Sequence, residues 1–258
     1  MTTSCSTHSD TDFHQHDHFL KPIKRIAILV DGGFYRWRAH SLFGEKTPED
    51  RADELFRYCL AHASNKHYIG DVYRIFYYDC TPSNEIVYNP ISRKQIHLGK
   101  TELFSWQSKF IEQLKQKRKM ALRMGKLSIH TPYILSNSKI IKKLSSGAIQ
   151  WNDLKDSDLT LNIEQKGVDM RIGVDIASLA FKRQVDQIVL ISGDSDFVPA
   201  AKLARREGID FIVDPMGAGI ADDLFEHIDG LQTRFKKFLP KEKTNNQCSL
   251  TQDQKEDI

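Results

Sequence analysis

The chain has 258 residues, of which 40% are hydrophobic, 10% aromatic and 28% charged, with a formal net charge of +3. These values exclude a wholly disordered, collagen-like or low-complexity chain, and no apolar run approaches the roughly 20 residues that a membrane-spanning helix needs. The polar N-terminus lacks the apolar segment of a secretory signal, so we expect a cytoplasmic protein with no membrane partner.

The two ends of the chain differ in composition from the middle. Residues 1–20 and 240–258 are polar and offer almost nothing to bury, so they predict flexible tails. A single domain is expected over residues 21–239, because its length suits one hydrophobic core.

Short apolar runs between the tails predict buried strands. Each run ends at Asp, Ser, Gly or Pro, as a strand that leads into a tight turn would. The predicted strands cover residues 26–30, 71–78, 187–191 and 209–213.

Helical periodicity separates these strands. Helices are predicted over residues 50–66, 101–119, 168–182 and 196–207. Strands that alternate with helices of this length form βαβ units, so the expected fold class is α/β, with a parallel central sheet and helices on both faces. Residues 127–165 show weaker patterns and predict an irregular insertion with a short strand near 127–130.

Acidic residues follow several of the predicted strands. Asp31 follows the first strand, Asp194 and Asp196 follow the strand at 187–191, and Asp214 follows the strand at 209–213. Ligands collect where the parallel strands of an open sheet end, so these side chains are candidates for one site. The alternative is that each Asp serves only as a turn residue or a helix cap.

The helix predicted at 168–182 carries two further acids. Asp175 falls within the apolar face of this helix and Asp169 lies at the edge of that face. A carboxylate on a buried face requires a partner, which is either a metal ion or a cation such as Arg171. Oxygen ligands suit Mg²⁺ or Mn²⁺. The predicted metal site therefore consists of Asp31, Asp169, Asp175, Asp194 and Asp196.

Positive charge is concentrated in one part of the chain. Residues 93–143 contain thirteen basic and two acidic residues, a local charge of +11. Such a segment is either a solvated surface or a surface that binds phosphates. The nucleic-acid interpretation assigns contacts to Lys115, Lys117, Arg118, Lys119, Arg123 and Lys126. Nearby aromatic residues, including Trp106, are candidates for stacking on unpaired bases.

Four segments resemble the successive motifs of NYN domains, and more narrowly those of the LabA-like branch, whose fold is similar to PIN-domain nucleases. They are IAILVDGGF at Ile26–Phe34, FYYD at Phe76–Asp79, KGVD at Lys166–Asp169 and LISGDSDFVP at Leu190–Pro199. The resemblance implies a metal-dependent ribonuclease site at the end of the sheet strands. By this resemblance Asp31, Asp175, Asp194 and Asp196 are the catalytic acids, Asp169 assists with the metal, and Ser192 and Lys166 support the site.

Two functional hypotheses follow. The first is a Mg²⁺- or Mn²⁺-dependent endoribonuclease, in which the acids hold the metal and the basic residues hold RNA. The second is an RNA-binding or regulatory module with the same fold and little or no cleavage, which Phe34 favours because many NYN domains have Asn there. Either hypothesis leaves room for a homo-oligomer or a protein partner.

Overall fold

A computed structural model describes residues 21–64, 66–129 and 132–239 of the chain. The tails predicted at 1–20 and 240–258 lie outside these residues. The described part is a mixed α/β fold, which confirms the predicted class, and its centre is a seven-stranded sheet. The strands are β1 (Ile23–Asp31), β2 (Ile69–Cys80), β3 (Ile86–Tyr88), β4 (Gln95–His97), β5 (Met120–Ser128), β6 (Tyr133–Ile134), β7 (Thr160–Leu161), β8 (Glu164–Lys166), β9 (Gln187–Ile191), β10 (Asp210–Asp214) and β11 (Gly230–Leu231). The large sheet has the order β11-β10-β9-β1-β2-β5-β8, and the four other strands form two separate pairs, β3–β4 and β6–β7.

The sheet is parallel except for β8, which runs antiparallel to β5. Its register places Asp31 beside Tyr78 of β2, and Asp214 beside Ile191 of β9. The parallel strands therefore all end on one side, here called the carboxyl edge, and all begin on the opposite side, the amino edge.

Helices cover both faces of the sheet. They are α1 (Gly32–Phe43), α2 (Pro48–His62), α3 (Glu102–Lys115), α4 (Ser138–Ser145), α5 (Val168–Phe181), α6 (Val198–Arg206) and α7 (Asp222–Glu226). One core cluster joins α1, α2 and α3 to the side chains of β1 that point to their face, such as Ile28. The other joins α5, α6 and α7 to the alternate side chains, such as Leu29. Because both faces of the sheet are covered, the buried part of β1, residues 26–30, is apolar throughout rather than alternating.

Two elements differ from the sequence predictions. Helix α1 was not predicted, although Tyr35, Ala39 and Leu42 recur at helical spacing and are buried. The helix predicted at 101–119 ends at Lys115, and strand β5 begins five residues later. Strand β5 is only partly buried, so its sequence mixes charged and apolar residues and lacks the apolar run of a central strand. The short strand predicted near 127–130 coincides with the end of β5.

The insertion between β5 and β8 contains the antiparallel pair β6–β7 and, between these two strands in the chain, helix α4, which buries none of its residues. In the described ranges, no helix is both long and apolar enough to cross a membrane.

Candidate active site at the carboxyl edge

Asp31 occupies the junction between β1 and α1. Its Oδ1 accepts a hydrogen bond from the backbone N–H of Phe34 at 3.1 Å, which caps the helix. Its Oδ2 accepts one from Ser192 Oγ at 3.3 Å. Gly32 permits this turn, because a Cβ there would lie 2.6 Å from the carbonyl oxygen of Tyr78. The end of β1 thus packs directly against β2, and Asp31 is held in one orientation.

Asp169 and Asp194 lie close enough to Asp31 to repel its charge, and Asp196 lies close enough to repel that of Asp169. Asp169 is in the first turn of α5, which follows Gly167 in the left-handed conformation (φ 77°). Asp194 follows β9 and accepts a hydrogen bond from the N–H of Asp196 at 3.0 Å. The side chains of Asp31, Asp169, Asp194 and Asp196 are here called the acidic cluster.

The acidic cluster carries uncompensated negative charge. Burial raises the pKa of Asp31, and the charges of Asp169 and Asp194 raise it further. Partial burial also raises the pKa of Asp169, with added repulsion from Asp194 and Asp196. None of the four carboxylates forms an ion pair with a basic side chain of the described ranges. A bound cation would relieve this repulsion.

The geometry differs from the predicted five-acid metal cage. Among residues 21–64, 66–129 and 132–239, no three His, Cys, Asp or Glu side chains are grouped closely enough to hold a metal ion. The donor chemistry of the acidic cluster fits a hard divalent cation, since its ligands are carboxylate oxygens that form no ion pair in the described ranges. Its side chains would have to approach one another to coordinate the ion together.

Asp175 does not join the acidic cluster. Its Oδ2 accepts hydrogen bonds from Tyr78 Oη at 2.8 Å and from Arg123 Nε at 2.9 Å. It lies six residues beyond Asp169 on α5, about 9 Å along the helix axis. The cationic partner expected as the alternative exists, but it is Arg123 of β5. The other candidate, Arg171, donates to the carbonyl oxygen of Gly167 at 2.7 Å.

The predicted RNA-binding residues divide between the two edges of the sheet. Residues 115–119 precede β5 and lie at the amino edge, opposite the acidic cluster. Tyr78 is the register partner of both Asp31 and Arg123, so these residues lie at the same height in the sheet. Lys119 precedes Arg123 by four residues and therefore lies about 13 Å closer to the amino edge. Three of the four basic side chains at this edge are paired with acids: Lys115 with Glu112, Lys117 with Asp53 and Lys119 with Asp71.

Lys126 and Lys166 lie at the carboxyl edge. They are register partners between β5 and β8, and both are exposed. Lys126 has no ion-pair partner in the described ranges, and Lys166 has a distant one, Glu164 Oε2 at 3.8 Å. Lys126, a predicted phosphate contact, and Lys166, predicted only to support the site, thus combine a position at the carboxyl edge with available charge.

A buried network beside Asp31 was missed by the sequence analysis. The Asp79 side chain at the end of β2 pairs with Arg36 and accepts a hydrogen bond from Tyr77 Oη at 2.7 Å. Arg36 also donates to Tyr77 Oη at 3.1 Å. The FYYD motif signalled this position, but nothing in the sequence indicated that Arg36 would compensate the Asp79 charge.

Two uncharged side chains also border the site. A Cβ on Gly193 would lie 3.4 Å from the Phe34 ring, so this ring packs close to the loop after β9. A Cβ on Gly33 would lie 3.6 Å from the amide group of Gln165, which places Gln165 of β8 next to the Asp31 turn. Gln165 lies in the segment whose sequence pattern was weakest, and no motif pointed to it.

Comparison with known families supplies an independent observation. Residues 99–226 match the model of the NYN domain. The NYN match covers just under half of the chain and includes Asp169, Asp175, Asp194 and Asp196, whereas Asp31 precedes it. A search of curated proteins found no match.

A solved structure is also similar to the chain. It is a protein of unknown function from Vibrio parahaemolyticus RIMD 2210633, with a TM-score of 0.45 and 16% sequence identity. The similarity covers 81% of this chain and 92% of that one.

Proposed function

We propose that the protein is a divalent-metal-dependent endoribonuclease whose reaction centre is the acidic cluster. One observation supports this proposal above the others. The carboxylates at the carboxyl edge repel one another, and none of them has a basic partner in the described ranges. The NYN match supports a nuclease-related role, because NYN domains are a PIN-like family of ribonucleases.

The NYN domain is proposed to extend beyond the matched segment. Strand β1 precedes that segment but lies between β9 and β2 in the same sheet. The domain therefore needs β1 for its core and covers residues 21–239. Assignment to the LabA-like branch rests on the four sequence motifs, of which the first two precede the match.

Each residue of the site has a proposed role. Asp31, Asp169, Asp194 and Asp196 hold Mg²⁺ or Mn²⁺, which when bound lowers the pKa of a water molecule and neutralises charge on the scissile phosphate. Ser192 orients Asp31 through its hydrogen bond. Lys126 and Lys166 hold flanking phosphates. Asp175 fixes Arg123 and Tyr78 rather than coordinating the ion.

A second function, RNA binding with little cleavage, is favoured by one observation. The side chains of the described ranges do not form a group of three acids ready to hold a metal. Phe34, which packs against the loop of Gly193, supplies no polar ligand that would complete such a group. The two functions differ in whether bound RNA is cleaved.

The decisive experiment uses end-labelled single-stranded RNA with Mg²⁺, with Mn²⁺ and with EDTA. We expect cleavage with one or both metals, none in EDTA, and none by Asp194→Asn. Asp156→Asn is the matched control, because Asp156 is an exposed acid in the insertion. RNA that binds in EDTA but stays intact with either metal would establish the binding module instead.

A further inference from the structure

A pocket lies between α1 and the N-terminal part of α3, on the face of the sheet that these helices cover. Its volume is about 580 Å³, within the usual range for small-molecule sites. Its lining includes two tryptophans, Trp37 and Trp106, together with Arg36, His40, Glu45 and Glu102. It is here called the α1–α3 pocket.

The α1–α3 pocket is joined to the acidic cluster by Arg36. This side chain lines the pocket and also contacts Tyr77 and Asp79 at the end of β2. Tyr77 in turn packs against Gly32, the residue after Asp31, where a Cβ would lie 2.6 Å from Tyr77 Oη. Arg36, in the wall of the pocket, is therefore separated from the Asp31 turn by one side chain, that of Tyr77.

The aromatic lining of the pocket is partly fixed and partly exposed. Trp106 stacks on Phe110 with ring centroids 5.1 Å apart, and its Nε1 donates to the carbonyl oxygen of Lys46 at 3.0 Å. Trp37 is 63% exposed, and Arg38 lies 5.3 Å from its ring centroid. An exposed tryptophan beside a fixed one is a stacking surface for a planar group.

The charged side chains of the pocket favour binding of a nucleobase over binding of a phosphate group. The basic side chains Arg36, Lys46 and Arg51 are paired with Asp79 or with the buried Glu54. By contrast, Glu45 and Glu102 have no basic partner in the described ranges. The pocket thus presents free carboxylate acceptors, which repel phosphate and accept hydrogen bonds from N–H groups.

We propose that the α1–α3 pocket binds one unpaired nucleobase of the RNA, with guanine preferred; this rests on the proposed RNA-cleaving function of the adjoining cluster. Guanine presents two adjacent donors, N1–H and the N2 amino group, which match the two oxygens of one carboxylate. Uracil presents a single donor between two carbonyl oxygens, which the carboxylates would repel. The pocket therefore gives the nuclease a base preference beside the cleaved bond.

Binding is tested in EDTA, so that cleavage plays no part. The fluorescence anisotropy of a labelled uridine decamer with one central guanosine is compared with that of the all-uridine decamer. We expect the guanosine-containing RNA to bind about tenfold more tightly, a difference typical of one bidentate pair of hydrogen bonds to a base. Trp37→Ala, and the double variant Glu45→Gln/Glu102→Gln, should each remove this preference.

The control variant is Trp151→Ala, since Trp151 is 64% exposed in the insertion and outside the pocket. It should keep the preference. Indole N–H signals in a ¹⁵N correlation spectrum give a second measurement: the guanosine-containing RNA should shift those of Trp37 and Trp106 more than the all-uridine RNA does, with no such difference at Trp151.

Equal affinity for the two RNAs, or an unchanged preference in Trp37→Ala, would overturn the pocket proposal. Metal-dependent cleavage that persists in that case would leave the proposed function standing. A guanine preference without any cleavage would overturn the nuclease function and retain the pocket as the specificity element of an RNA-binding module.

Discussion

Asp31 and Asp214 end two parallel strands of the same sheet at the same edge, yet their surroundings differ. Asp214 is fully buried and is hydrogen-bonded with Tyr58 Oη at 2.6 Å, His62 Nε2 at 2.9 Å and the N–H of Met216 at 2.7 Å. Asp31 receives two longer hydrogen bonds and faces the charges of neighbouring carboxylates.

This contrast shows that position in the sheet does not determine the role of an acid. Donors around Asp214 satisfy its charge, so it stabilises the fold. The charge of Asp31 is left for an external cation, so it is suited to chemistry. The number of donors around each carboxylate is the feature that separates the two roles.

The largest expected effect is on cleavage. Asp31→Asn keeps the helix cap but removes a charge from the acidic cluster, so metal-dependent RNA cleavage should fall by about a thousandfold. Melting curves in EDTA should show a stability equal to or above that of the parent protein, because repulsion within the cluster decreases. A variant that cleaves RNA normally would remove Asp31 from the site.

Asp214→Asn should show the opposite pattern. The amide nitrogen would face the Tyr58 hydroxyl and the His62 ring, so buried hydrogen bonds would be lost at a cost of about 3 kcal/mol in the free energy of unfolding. Urea denaturation measures this cost. Any remaining folded protein should cleave RNA at the parent rate, and a stable but inactive variant would place Asp214 with the functional acids.

These two residues also show what the sequence could predict. The apolar runs that form β1, β9 and β10 placed both acids at the carboxyl edge correctly. Their side-chain donors come from α2, more than 150 positions from Asp214, and from Ser192, 161 positions from Asp31. Hydrogen bonds between such distant positions depend on tertiary packing, which local patterns do not encode.

Asp175 is intermediate between Asp31 and Asp214, because its charge is paired but partly exposed. Asp175→Asn should weaken its ion pair with Arg123, whose side chain is 43% exposed, and cost about 1 kcal/mol of stability because solvent screens the pair. Cleavage should change by less than threefold. If cleavage is lost while the melting temperature in EDTA stays unchanged, Asp175 acts on the metal after all.

The basic segment, residues 93–143, also shows that a local pattern does not determine where residues lie in the fold. Its residues are close in sequence, but β5 carries them from one edge of the sheet to the other, and only the end of this strand was predicted. Charge counting therefore joined residues that the fold separates. The helical pattern of the sequence continues past Lys115, so it did not show where α3 ends. The chain turns into β5 at Lys119, which has a left-handed backbone conformation (φ 63°); glycine, the residue that usually marks such a turn in a sequence, is not used here.

The smallest effect concerns RNA affinity. The double variant Lys126→Ala/Lys166→Ala should weaken binding several-fold and lower the slope of log affinity against log salt by about 0.7 for each lost contact with single-stranded RNA. Lys117→Ala/Arg118→Ala, at the amino edge, is the matched control and should leave that slope unchanged. Fluorescence anisotropy across a salt series compares them, and a larger change in the control would move the RNA path to the amino edge.

The pairing of β5 with β8 has a consequence for how the chain could be shortened. Ser128 and Glu164 are register partners in this antiparallel ladder, so the two ends of the insertion lie about 5 Å apart. A hairpin turn of about two to five residues is long enough to join them. We therefore expect that the insertion can be replaced by such a turn. The shortened chain would retain every carboxylate of the acidic cluster and both lysines at the carboxyl edge.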